Sequence, residues 1–256
     1  MNGAEGAGLN APRSTRVRLA AAALMALLCA GLLALGSWQI VRLQWKTALI
    51  ERVDQRVHAA PAAAPAPISW SRLTREQDEY RHLSLRGHFL DDLGTLVQAS
   101  TVHGSGYWLL TPFCGEDGAI VMINRGFVPA STPRTAGKRG AVCGSAPAAV
   151  EVTGLLRMSE TGGGFLRDND PRADRWYSRD VKAIAAARGL DAVAPYFIDQ
   201  DAAAAPVAGA PVGGLTVISF NNNHLVYALT WFALAAMAAA GCLVFARDGR
   251  RTEGPI

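Results

Sequence analysis

Two stretches of the chain are apolar almost without interruption. Residues 19–40 contain no charge, and about 22 residues in helical form cover a roughly 30 Å hydrocarbon layer at 1.5 Å rise per residue. Residues 226–246 form a second uncharged run rich in Ala, Leu and Val. Both runs predict membrane-spanning helices. Between them the pattern changes to short β-branched and aromatic segments bounded by Gly, Pro or Asp, which predicts strands near residues 81–89, 95–101, 107–113, 119–128, 150–156, 196–199 and 215–220. One helix interrupts them at residues 181–188, with Ser178 as a candidate N-cap, Asp180 at its positive end and Gly189 closing it. Strands so close together favour antiparallel pairing.

The resulting fold class is a membrane protein with two transmembrane α-helices flanking an α+β extramembrane domain of mainly antiparallel strands, for which a small barrel is one closed form. The expected boundaries are a tail at 1–18, the first span at 19–41, a helical extension and Ala/Pro linker at 42–68, the domain at 69–223, the second span at 224–246 and a tail at 247–256. Residues 44–57 can continue the first helix until the Ala59 to Pro67 run, and a short polar helix is expected within residues 70–79. A cleaved signal peptide is the alternative for the first span, since Ala34-Leu35-Gly36 has a small-x-small form, but the run is long for one.

Basic residues orient the chain. Arg13, Arg16 and Arg18 precede the first span, and Arg247, Arg250 and Arg251 follow the second, so both termini are expected in the cytoplasm and the domain on the outer face. Arg42 and Lys46 oppose this, although long translocated loops are largely insensitive to charge. Residues 43–223 hold 18 Lys plus Arg against 18 Asp plus Glu, so the whole +4 excess lies outside the domain, and nucleic acid is not an expected partner. Of four cysteines, Cys29 and Cys242 fall in the spans. Cys114 and Cys143 could meet an oxidising compartment, but spacing does not show whether they come within bonding range. No Cys-x-x-Cys-His, Gly-x-Ser-x-Gly, Walker loop or His-Glu-x-x-His motif occurs, so no enzymatic activity is expected.

At the outer end of the first span, Trp38, Arg42 and Trp45 share a helical face, which suits an interfacial aromatic belt with a snorkelling arginine. The second span opens with Asn222-Asn223-His224, and His224, Tyr227 and Trp231 share one face. A boundary histidine can ligate haem iron through neutral imidazole, or face headgroups. His58, His82, His88 and His103 lack metal-site spacing and read as surface or hydrogen-bonded residues. Asn124-Arg125-Gly126 interrupts an apolar strand, where Gly permits a bulge and Arg can hold a carboxylate. Pro171 and Trp176 read as a fixed loop with an aromatic plug, and Asp180 can cap the next helix.

Together these segments resemble the surfeit locus protein 1 (Shy-one) family of cytochrome oxidase assembly factors. The resemblance rests on Gly36-x-Trp38-Gln39 with Arg42 and Lys46, Thr111-Pro112, Asn124-Arg125-Gly126-Phe127-Val128-Pro129 and Gly154-Leu155-Leu156-Arg157. It continues through Asn169-x-Pro171 with Trp176 and Asp180, Phe197-Ile198-Asp199, Gly213-Gly214, and Asn222-Asn223-His224-Leu225 with Tyr227, Thr230 and Trp231. It implies a role in maturing oxidase subunit I as haem a enters it, with haem a bound transiently and His224 as iron ligand; on that reading Tyr227, Trp231 and Trp38 are expected to contact the ring, and Arg42 or Lys46 to pair with the propionates. Further partners it implies are haem A synthase, other oxidase assembly factors and membrane lipid. The alternative is a haem-free membrane scaffold holding a subunit I intermediate. The Ala/Pro linker, the Gly162-Gly163-Gly164 stretch and the short Arg-rich N-terminus depart from the pattern and favour a bacterial inner membrane.

Overall fold

The computed structural model describes residues 15–133, 143, 149–164, 166–205 and 207–251. Most of the two expected tails, residues 1–14 and 252–256, lies outside them. Helix α1 runs from Thr15–His58, so the first apolar run and its charged continuation form one 44-residue helix. Helix α4 is His224–Arg251. Both are long and apolar enough to cross a membrane. The chain divides into two compact units, one holding Met1–Glu51 with Phe220–Ile256, the other Arg52–Ser219.

In the first unit the two helices meet at small residues. Ala228 and Ala235, seven apart on α4, are buried, the spacing that keeps one stripe facing a partner helix. A Cβ added at Gly36 of α1 would lie 2.7 Å from the Phe232 ring. The Cys29 thiol reaches the Ala235 carbonyl at 3.7 Å, and Gln39 meets His224. Partner numbers fall on α4 as they rise on α1, so the helices are antiparallel, with glycine and alanine allowing close approach where lipid offers no hydrophobic drive.

The second unit is a closed barrel. Its strands are β1 (Ala62–Ala63), β2 (His82–Phe89), β3 (Thr95–Thr101), β4 (Gly104–Gly115), β5 (Ile120–Pro129), β6 (Val150–Met158) and β7 (Val193–Gln200). The sheet order is β1-β2-β6-β7-β5-β4-β3, and an added β2–β4 pairing joins five strands into a ring. A five-membered ring cannot alternate direction throughout, so at least one neighbouring pair must be parallel; here it is β5–β7, while the others in the ring are antiparallel. Closure brings β2 hard against β4, since a Cβ on Gly87 would stand 2.0 Å from the Cys114 carbonyl oxygen.

Alternation along the strands sorts the core. Leu83, Phe113, Val121, Ile123, Val152, Leu156, Ala194, Tyr196 and Ile198 come from all five ring strands and fill the interior. Ile120, Met122 and Phe197 point the other way and pack with Leu93, Val97, Leu110 and Trp176 beneath helix α3 (Val181–Arg188). Trp176 is buried, as its expected role of plug requires. Arg188 pins α3 down through Thr95 at 3.0 Å and Asp174 at 2.8 Å.

Of the two expected caps of α3, Asp180 is the N-cap, its side chain accepting from the Ala183 amide at 3.1 Å. Several other expectations need correction. Ser178 instead accepts from the Gly163 amide and the Asn169 side chain. Residues 215–220 form no strand; the chain touches β5 just before them, where Val212 bridges to Phe127. The expected helix within residues 70–79 splits into a 3-10 turn at Pro67–Arg72 and the single-turn helix α2 (Arg75–Asp78). The Ala/Pro segment supplies β1, parallel to β2. Cys114 and Cys143 are joined as a disulfide with Cα atoms 5.7 Å apart.

Candidate functional site

The helix pair and the barrel rim each gather polar groups against apolar surroundings. His224 is the first residue of α4, and its Nδ1 sits 2.7 Å from Oε1 of Gln39 on α1. An Nδ1–H donating to that amide oxygen fixes the tautomer and leaves Nε2 with its lone pair. Nearby, the Asn222 side-chain oxygen is buried without a hydrogen-bond donor among the described residues. Of the other expected residues, Trp38 and Tyr227 are more than half exposed, and Trp231 is half-buried. Arg42 lies over the Trp45 ring at 4.3 Å, and Lys46 over Phe220 at 5.4 Å. The structure thus joins His224 to Gln39, a residue the sequence placed in a motif but not in the site. An imidazole that donates from Nδ1 to Gln39 offers Nε2 in the way a haem iron ligand requires.

The second place is a cavity of about 220 Å³ at the rim of the barrel, lined by Trp108, Asn124, Arg157, Arg179, Asp199 and the segment Gly213 to Val217, among others. Its origin is readable along the strands. Ile120 and Met122 face the apolar cluster under α3, and Asn124 continues that face; so does Asp199 after Phe197 on the adjacent β7, where the two residues are register partners. The face therefore turns from apolar to polar within one step.

A bulge completes it. Trp108 pairs with Phe127 and Leu110 with Asn124, so Arg125 and Gly126 together oppose Leu109. Gly126 has φ of 124°, and a Cβ there would lie 2.1 Å from the Val212 carbonyl oxygen. The expected bulge glycine is real, and so is the expected carboxylate for Arg125, which is Asp91 at 2.6 Å.

Asp199 is the hub. Its Oδ1 accepts from Asn124 at 2.7 Å and Arg179 at 3.1 Å, and its Oδ2 from Thr216 at 2.9 Å and Arg157 at 3.1 Å. Arg179 also holds Glu160 through Nε at 3.1 Å, while Arg157 reaches Glu79 at 3.3 Å. Burial disfavours charge on Glu160, but the hydrogen bonds and charge of Arg179, with Arg157 behind them, hold its carboxyl below the usual range. Burial likewise opposes the Arg157 charge, and Asp199 with the surrounding anions outweighs it. The Arg179 guanidinium stands 4.7 Å over the Phe197 ring and 5.8 Å from the Trp108 ring.

Sequence reading quoted Asn124, Arg157, Asp199 and Gly213-Gly214 as scattered motifs and did not bring them together. It missed Arg179, Glu160, Thr216 and Trp108 altogether. The signal it had was a polar residue at a core-facing strand position, visible at Asn124 and Asp199.

These features define a membrane protein whose two-helix hairpin carries a partnered boundary histidine and whose five-stranded barrel carries a charge-lined cavity. The SURF1 family model matches residues 26–236, and the chain belongs to that family. It is 35% identical over 239 residues to "Surfeit locus protein 1" of Rattus norvegicus, covering 86% of this chain and 73% of the relative. The human protein of the same name is 34% identical, covering 86% and 75%. A "SURF1-like protein" of Monosiga brevicollis is 33% identical, covering 86% and 85%.

Proposed function

We propose that the chain serves the assembly of haem-copper cytochrome oxidase as a transient haem a carrier or placement chaperone for subunit I. Family membership supports the broader assembly role. The observation that carries the finer reading is the His224–Gln39 contact of 2.7 Å, which presets an imidazole for metal ligation at the end of a membrane helix. When bound, haem a would supply the iron and the redox cofactor destined for the oxidase. The chain's own part would be to hold and release it: His224 would ligate through Nε2, Trp38, Tyr227 and Trp231 would contact the ring, and Arg42 or Lys46 would meet the propionates. No enzymatic step is part of the proposal.

The location proposed is a bacterial inner membrane, with both termini cytoplasmic and the barrel periplasmic. The Cys114–Cys143 disulfide supports the oxidising side for the barrel. Subunit I is the proposed client, with haem A synthase and other assembly factors as neighbours.

Purification from cells able to make haem a tests the reading. The expected result is a Soret band that survives stringent washing and is lost in His224→Ala, with haem a affinity reduced. Protein that is colourless, or unchanged in spectrum and affinity by the substitution, supports the haem-free scaffold instead.

A further inference from the structure

We infer that the cavity at the barrel rim is a binding site for a carboxylate carried on an apolar body. The inference stands on the hydrogen-bond inventory of the cavity, and does not depend on haem being bound at His224.

A guanidinium has five N–H donors. Arg157 uses Nε on Glu79 and Nη1 on Asp199, and its Nη2 comes no closer than 3.8 Å to Glu160, beyond hydrogen-bond reach. Arg179 uses Nε and Nη2 on Glu160 and Nη1 on Asp199. Each arginine therefore keeps N–H donors with no acceptor among the described residues. Asp199, by contrast, already accepts four hydrogen bonds, from Asn124, Arg157, Arg179 and Thr216, so it competes weakly for them.

The donors are arranged to suit such an acid. Arg157 and Arg179 line the space, whereas Glu79 and Glu160, which hold the two guanidinium groups by their other edges, do not. Two planar guanidinium groups with unused N–H donors suit a flat carboxylate.

Size and apolar groups specify the rest of the ligand. A volume of about 220 Å³ lies below the ~300–1,000 Å³ that whole drug-sized ligands occupy, so it admits an acid group and a short stem. Trp108, Leu215 and Val217 stand beside the donors, and Val217 is 80% exposed, which offers apolar surface to a body left outside the mouth. The acid could belong to a client polypeptide or to a porphyrin propionate, since both present the same group on an apolar frame.

The test uses the full chain in lipid nanodiscs, with empty discs as control, and saturation-transfer NMR of 2-naphthoate against the neutral 2-naphthamide. The acid is expected to bind about tenfold or more tightly than the amide, as charge-assisted hydrogen bonds require. Leu215→Trp, which fills the mouth without touching the ion pairs, is expected to weaken the acid at least about tenfold, as is Arg179→Gln if it folds. Equal binding of acid and amide, or unchanged affinity in Leu215→Trp, overturns the inference.

Competition then finds the source. A metal-free porphyrin diacid is compared with its dimethyl ester, and an apolar peptide with a free C-terminus with its amidated form. Displacement of naphthoate by either acid but not by its neutral form supports the inference and names the source; displacement by neither overturns it. A metal-free porphyrin offers no iron to His224, so failure here is distinguishable from failure of the haem-carrier reading.

Discussion

The helix pair and the barrel rim hold polar groups in opposite ways. Along α1 and α4 the interface is built from Gly36, Ala228 and Ala235, and among the described residues the Gln39–His224 contact stands without a supporting network. At the rim, Asp199, Arg157, Arg179, Glu160 and Glu79 are interlocked so that each charge satisfies at least one other. The difference follows from the surroundings. A chain in lipid keeps its polar side chains few and can find alternative partners for them in the unfolded helices. Charges buried in a packed protein are tolerable only together, because removing one leaves its partners desolvated and uncompensated.

The sharpest way to break this comparison is Asp199→Ala, which strips four donors of their acceptor. Loss of one member of a buried ion-pair set costs about 3–5 kcal/mol, so denaturant unfolding of the full chain should show the barrel transition shifted by that order. A shift below about 1 kcal/mol, the size of a surface pair, would mean that the rim charges are solvated and the contrast false.

A smaller effect is expected at His82, where the barrel holds a histidine somewhat more exposed than Asp199, Arg157 and Arg179. Its Nε2 lies 2.7 Å from Asp201 and its Nδ1 2.9 Å from the Ala59 carbonyl oxygen. Burial alone would lower its pKa, but the Asp201 hydrogen bond, the Ala59 carbonyl and the Asp201 charge together raise it above 6.5. A raised folded pKa means the stabilisation is complete below the unfolded value and is lost as pH rises through the folded one. Melting temperature should therefore fall slightly from about pH 5.5 to about pH 8.5, and His82→Gln should flatten that part of the slope. A variant with the parent slope removes His82 as its source.

The smallest stability effect belongs to the helix pair. Gln39→Ala removes one interhelical hydrogen bond, and such bonds average about 0.6 kcal/mol in membranes. Its thermal transition should stay within a degree or two of the parent, a shift of order ΔΔG over the entropy of unfolding. Melting as severe as that of Asp199→Ala would erase the distinction between the two regions.

Legibility in the sequence divides along the same line. The apolar runs, the six strands from β2 to β7, helix α3, the aromatic plug Trp176 and the bulge at Gly126 were all marked by local periodicity or by residues with special backbone demands. The candidate iron ligand His224 was visible because a histidine beside a long uncharged run stands out. Its partner Gln39, 185 positions away, was visible only as part of a motif.

What the sequence determined by itself was therefore whatever depends on near neighbours: two spans, strand-forming segments, caps and the bulge. The tertiary structure alone decided ring closure through β2 and β4, the parallel β5–β7 pair, the disulfide, and the meeting of Asn124, Arg157, Arg179 and Asp199 at one rim. Those features depend on which distant strands become neighbours. Period-2 alternation says which face a residue occupies, but a side chain's partners across a sheet are fixed by pairing and register.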